Sequence, residues 1–344
     1  MSNAIVCAQD QLPDHAGYPF PKEPNVPGMW EGINVWFFEE NGDFGVPRLA
    51  VDRVTGTWNE RLVCANFALR DGRVYDGWGT FPAVSDLDDK NKPMVLGASV
   101  LKFRCIEPFK KWHVSYSDEP IAGDSSSQIA KTMDPTKKAR IRLDAEMTLR
   151  PPPWAQVFGE NDKRPEAAFM GLGWRYEVPI DVEGAFEVDG KSRTFKGLGS
   201  LINRQSIRTI PDEAPGFHGH AWLAARFPDG RAFGCNVYPT VDRKGKIVDG
   251  EGDFPYNTGY IYKDGKIYKA KVVKAPWLRE LKFEGDDCSV VLDSELGTTH
   301  IKGKTLLSTF KPTWNRMGGL SLQQSGVRYT WDDQTAIGMT ERSS

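Results

Sequence analysis

The chain has 344 residues, of which 40% are apolar, 11% aromatic and 26% charged, a globular composition far from that of disordered chains. Its 44 Lys and Arg balance 46 Asp and Glu without any basic concentration, which excludes nucleic-acid binding by a positively charged face. The strongest apolar stretches, Ile33 to Phe38 and Met94 to Leu101, fall far short of the ~20 residues that a bilayer-spanning helix needs.

The first thirty residues carry Asp10, Asp14, Glu23 and five prolines and no apolar run, which argues against a signal peptide. Short β-branched and aromatic runs follow, each closed by a turn dipeptide. Ile33 to Phe38 ends at Asn41-Gly42, and Leu62 to Leu69 ends at Asp71-Gly72. In Trp112-His113-Val114-Ser115-Tyr116, the Trp112, Val114 and Tyr116 face reads as core and His113 as exposed. Ser117 to Lys138 is polar, a loop or a short helix around Ser127 to Lys131. Ala139 to Leu149 alternates strictly between apolar and polar, which only a strand with one wet face satisfies. A proline-rich stretch from Arg150 to Pro165 precedes the midpoint. Asp189-Gly190, Asp229-Gly230, Asp249-Gly250 and Asp264-Gly265 mark further hairpins.

The fold class is therefore all-β and antiparallel, with few short helices. At this length two domains of about 170 residues are the default, and closed barrels spare so many short strands exposed edges. The expected division is 1–180 and 181–344. Phe67 with Asp71-Gly72-Arg73 and Phe227 with Asp229-Gly230-Arg231 form a faint echo between the halves. The five cysteines Cys7, Cys64, Cys105, Cys235 and Cys288 are scattered with no CxxC spacing. That supports neither a disulfide framework nor structural zinc, and suggests a reducing, cytoplasmic setting.

Candidate chemistry is densest between Asp212 and Tyr238. On a strand, His218, His220 and Trp222 share one face. Two imidazoles and an indole directed into a barrel make a pocket wall that donates, accepts and stacks; a solvated strand face is the plainer alternative. Asp212, His218, His220 and Tyr238 are the candidate acid–base groups, and Phe217, Trp222 and Asn236 the adjacent substrate-binding ones. Trp36 and Trp174 join them as candidate aromatic lining, since eleven Trp and eighteen Phe suggest an apolar ligand cavity as readily as ordinary packing. Arg204 and Arg208 either hold an anionic or carbonyl group or pair with Asp212 and Glu213. Gly197-Leu198-Gly199 lacks the context of a phosphate cradle and reads as a bulge or a close backbone approach. The His-x-His pair has no suitably spaced further ligand, so neither a metal nor another cofactor is expected. No serine has the setting of an acyl nucleophile.

Several segments together resemble the two-domain lipocalin-like family that includes the carotenoid 1,2-hydratases (hydroxyneurosporene synthases). They are Glu107 to Tyr116 with its Pro-x-Lys-x-Trp wording, Phe186 to Gly190, Gly197-Leu198-Gly199, Asp229-Gly230, and Gly338 to Ser343. His218-Gly219-His220-Ala221-Trp222 is similar to the hydratases' His-x-His-x-Trp run. The family's Arg-Asp-His-Ser-Trp-Gly run reads Leu201 to Ser206 here, without its acid and histidine. The resemblance implies two calycin-type barrels and a lyase or isomerase acting on a hydrophobic, terpenoid- or steroid-like substrate. Its reactions are hydration or dehydration, double-bond isomerisation, or cyclisation. A proton donor and an aromatic wall that stabilises positive charge would carry them. The alternative is a non-catalytic carrier of a hydrophobic ligand. A homodimer is compatible with either.

Overall fold

The computed structural model describes residues 12, 14–151, 153–158, 171–207, 218–242, 247–248, 254–314 and 320–344. The first set of strands is β1 (Met29–Glu39), β2 (Phe44–Val54), β3 (Glu60–Leu69), β4 (Arg73–Pro82), β5 (Val95–Gly97), β6 (Leu101–Glu107), β7 (Lys111–Asp118), β8 (Ile121–Asp124), β9 (Ile141–Leu149), β10 (Trp154–Phe158), β11 (Leu172–Val188) and β12 (Lys191–Ile207). The second is β13 (His220–Arg226), β14 (Ala232–Tyr238), β15 (Tyr256–Lys263), β16 (Lys266–Lys274), β17 (Val290–Ser294), β18 (Gly297–Trp314), β19 (Leu320–Trp331) and β20 (Gln334–Ser343). One short helix, α1 (Ser125–Ala130), lies in the polar 117–138 stretch, capped by Asp124.

The all-β expectation holds. The first strands form one antiparallel sheet in the order β5-β6-β7-β9-β11-β12-β1-β2-β3-β4-β8, with β10 beside β11. Backbone bonds also join the β5 edge to the end of β4: Val84 N–H donates to Gly97 O (3.2 Å) and Ser99 N–H to Pro82 O (2.9 Å). Strands β13 to β20 close into a sequential eight-stranded barrel. The chain passes from one sheet to the other between Ile207 and His220. Position 180, the expected division, lies inside β11, whose hairpin with β12 occupies the middle of the first sheet.

Alternation sets each core. Ile33, Val35 and Phe37 point into the first sheet's interior with Phe67, Trp112, Val114 and Tyr116. β9 keeps its alternation residue by residue, and His113 on the outer side meets Asp144 at 3.1 Å. The Asp-Gly-Arg echo is one turn device used twice: Arg73 Nε donates to Asp71 at 2.9 Å and Arg231 Nε to Asp229 at 2.6 Å. Cys64, Cys105, Cys235 and Cys288 are buried free thiols. Among the described residues no helix is long and apolar enough to cross a membrane.

The barrel interior differs from the expected hollow. It is filled by Leu223, Phe233, Val237, Ile261, Val327 and Tyr329, among others. On β13 the apolar parity Ala221, Leu223, Ala225 turns inward, which forces His220 and Trp222 to the outer side, against the first sheet. Trp222 packs there with Trp36, Phe38, Ala224 and Met339.

Gly197 and Gly199 are the close backbone approaches that their pattern suggested. A Cβ on Gly199 would sit 1.9 Å from the Trp36 carbonyl oxygen. Since that neighbour is backbone and cannot swing away, Gly199→Ala is expected to cost about 3 kcal/mol or more. Urea denaturation against wild type measures it, and an unchanged midpoint would contradict this packing.

Candidate functional site in the layer between the sheets

Strand register lays two rows of side chains against each other. Across the barrel's outer face run Thr258, Asn236, Trp222, Glu341, Gln324 and Thr309, each opposite the next on adjoining strands. Across the first sheet run Glu177, Ile202, Asn34, Ala50, Cys64 and Trp78. Two rows this rich in polar groups, buried between sheets, must satisfy one another or a ligand. At the rim of the same seam, four residues along β11 from Glu177, a cavity of about 530 Å³ is lined by Asp181, Leu198, Arg226, Phe227 and Ile337.

Glu177 is 1% exposed. It points outward from β11 because Trp174, Tyr176 and Val178 take the inward parity. Trp222 Nε1 donates to its Oε2 at 2.7 Å, and Ser200 Oγ lies 3.5 Å from Oε1. Arg175, its neighbour on the same face, reaches within 3.6 Å. Burial raises the carboxyl to about 7, with Arg175, Trp222 and Ser200 only partly opposing it. Gly234 leaves the room: a Cβ there would lie 2.4 Å from the Tyr260 ring and 3.0 Å from Glu177 Oε1. Arg175 stacks over Trp222, 4.2 Å from the ring centroid, and donates to Gln156, whose amide donates to Tyr256 Oη at 2.8 Å. Around this group, Arg175 Nη2, Asn236 Oδ1, Thr258 Oγ1, Tyr260 Oη and Trp154 Nε1 are buried without a hydrogen-bond partner among the described residues.

A second cluster lies one strand over. His220 Nε2 is 3.3 Å from Glu341 Oε1 and its Nδ1 is 2.7 Å from Ser343 Oγ. Arg48 Nη1 donates to Glu341 Oε2 at 3.0 Å and its Nη2 to Asn34 Oδ1 at 2.7 Å. Gln324 donates to Glu341 and accepts from Asn66. Burial opposes ionisation of Glu341, but Arg48, His220 and Gln324 together hold its carboxyl down at about 2. An ionised carboxylate only accepts, so His220 Nε2 donates to Glu341. Serine, histidine and glutamate thus meet in one buried hydrogen-bonded set on the outer face of the barrel.

Of the sequence candidates, His220, Trp222, Asn236, Tyr238, Trp36 and Arg204 lie on the facing surfaces. The Trp36 and Trp222 rings are 5.7 Å apart, and the Tyr238 ring lies tilted 4.6 Å from that of Tyr256. Arg204 stands opposite Arg175 in register and pairs with Asp52 at 2.9 Å. His218 is half-buried just before β13. Trp174 is separated from the others, stacked on Tyr176 inside the first sheet, because its parity on β11 is the inward one. Asp212, Phe217 and Arg208 lie outside the described residues. Glu177, Arg175, Glu341 and Arg48 were not singled out. The signal for Glu177 was the charged alternate parity in Trp174-Arg175-Tyr176-Glu177-Val178. Among the described residues no three His, Cys, Asp or Glu side chains gather as a metal site.

The family model described as a domain of unknown function, DUF7064, matches residues 79–344. No curated protein matches the sequence. Among solved structures, a protein of Nitrosomonas europaea provisionally designated AttH superposes with a TM-score of 0.53 at 14% identity. That match covers 94% of this chain and 97% of its own. CghA in complex with Sch210972 gives 0.52 at 12% identity over 99% and 98%, and CghA alone 0.50 at 11% over 99% and 98%. At these identities the shared property is the two-part all-β fold.

Proposed function

The chain belongs to the DUF7064 family, and from the chemistry of its inter-sheet layer we propose that it is a lyase or isomerase acting on a hydrophobic small molecule by acid–base catalysis. The observation that carries this is Glu177: a carboxyl enclosed by Trp222, Ser200, Arg175 and Gly234, raised by burial to about 7. A group with that value is populated in both forms near neutrality, so it both takes and returns a proton. His220 has both ring nitrogens engaged by Glu341 and Ser343, so Glu177 assumes the proton-carrying role expected of the histidine. Trp222, Trp36 and Tyr238 supply the apolar wall, and Asn236 lies opposite Trp222 with its Oδ1 unpaired among the described residues. CghA holds a small molecule, Sch210972, in a related fold, which lends fold-level support to a ligand site.

The test is untargeted mass spectrometry of an apolar metabolite extract incubated with the protein. A compound is expected to be converted to one of equal mass, or of mass differing by one water, and Glu177→Gln is expected to abolish the conversion. Conversion that persists in Glu177→Gln, or products of another mass difference, would overturn the assignment.

A further inference from the structure

Resting on that reading, we propose that the substrate is an unsaturated carbonyl compound whose oxygen is held by Arg175 and Tyr260 while it becomes an enolate. Two features of the layer point there. The first is the set of unsatisfied donors. Arg175 is 3% exposed and Tyr260 is 1% exposed, yet Arg175 Nη2 and Tyr260 Oη have no hydrogen-bond acceptor among the described residues. Both border Glu177: Arg175 at 3.6 Å, and Tyr260, whose ring and the Glu177 carboxyl both lie within 3.0 Å of where a Cβ on Gly234 would stand. Buried donors without acceptors are costly, and a substrate oxygen placed between them relieves both.

The second feature is the sign of the charge that the site accommodates. A carbocation needs a bare aromatic face, but the Trp222 face already carries the Arg175 guanidinium at 4.2 Å. Another positive charge there would be repelled. Negative charge is favoured, and the arithmetic is balanced throughout the reaction. Ionised Glu177 removes a proton from the carbon next to the carbonyl. The C–H electron pair becomes the enolate C=C bond, and the carbonyl π pair moves onto oxygen. Glu177 becomes neutral as the oxygen becomes negative, so Arg175 exchanges one anionic partner for another. Glu177 then returns its proton to the far end of the conjugated system. The carbonyl re-forms, the double bond has moved, and no atom or electron is gained or lost. The low-dielectric layer makes such a charge-conserving transfer much less costly than creating a new buried charge.

The probe is 4-nitrophenol, whose phenolate mimics an enolate and absorbs visibly, unlike the neutral phenol. Wild type is expected to bind it saturably and to enrich the phenolate over its share in free solution at the same pH. Arg175→Met is expected to weaken phenolate binding about tenfold or more, whereas Glu177→Gln, which removes the competing carboxylate, strengthens it by about tenfold above neutral pH. Tyr260→Phe removes one unsatisfied hydroxyl and serves should Arg175→Met fail to fold. It is expected to weaken phenolate binding about threefold with no loss of thermal stability. No uptake, uptake as neutral phenol, or wild-type phenolate affinity in Tyr260→Phe would overturn the carbonyl assignment. If Glu177-dependent turnover in the extract persists alongside any of these, only the substrate class fails; if that turnover is also absent, the acid–base reading fails with it.

Discussion

Glu177→Gln is expected to lower kcat/KM by about a hundred- to ten-thousand-fold, the usual contribution of a proton-transferring side chain. The wild-type pH–rate profile should bend near 7, where the Glu177 carboxyl changes form, and the bend should vanish in the variant. Stability reports the same group independently. The folded protein holds the Glu177 proton more tightly than the unfolded chain, whose carboxyl has the ordinary value of 4.5. Wild type therefore has the full contribution of this group below 4.5 and loses it as pH rises through 7, by at most about 3 kcal/mol. The amide cannot titrate. Whatever constant penalty Glu177→Gln suffers from leaving Arg175 without its anion, the difference between the two proteins should shift in favour of the variant as pH rises. Urea midpoints on either side of neutrality measure this, and parallel pH dependences would contradict the raised carboxyl.

Arg48→Met should be the more damaging change to the fold. Glu341 is an ionised carboxylate between two sheets, and Arg48 is the cation that opposes its burial most strongly. Removing one partner of such a pair leaves the other charge without compensation, at a cost of about 3–5 kcal/mol. The pH sign is opposite to that of Glu177. With its folded value depressed to about 2, Glu341 stabilises the wild type above 4.5 and loses that contribution as pH falls toward 2. Arg48→Met should have lower stability at neutral pH and a flatter acid limb. The double variant Arg48→Met/Glu341→Gln should recover part of the loss, since no bare carboxylate remains. A denaturant series over the four proteins of this cycle measures the coupling, and additive losses would show that the pair does not interact.

The β character of this chain was legible because alternation and Asp-Gly turns are local signals. β9 reads as a strand from eleven residues, and it is one. His220 and Trp222 were legible as a pair on one face, but not which way that face turns. Parity fixes which residues travel together; whether they enter a barrel depends on what packs against the other side. Here Ala221 and Leu223 compete for the interior and win it, because burying apolar groups there leaves no polar group unpaired. Glu341 and Arg48 are 293 positions apart and adjoin only because the two sheets stack. No window along the sequence contains both. Glu177 was missed for a related reason: an acid at an alternate strand position normally marks the wet side, and only the docked barrel makes that side dry.

The bonds of the inter-sheet layer join opposite parts of the molecule. Arg48 is answered by Glu341, Glu177 by Trp222, Gln156 by Tyr256, and Asn66 by Gln324. Each part thus carries one member of each of these pairs. Pulling them apart would bring no relief to either, since both would present bare charges and amides beside aromatic rings. Melting should accordingly be cooperative, one calorimetric peak for the whole, and a polypeptide cut between β12 and β13 should yield two fragments that hold their native shape only when mixed.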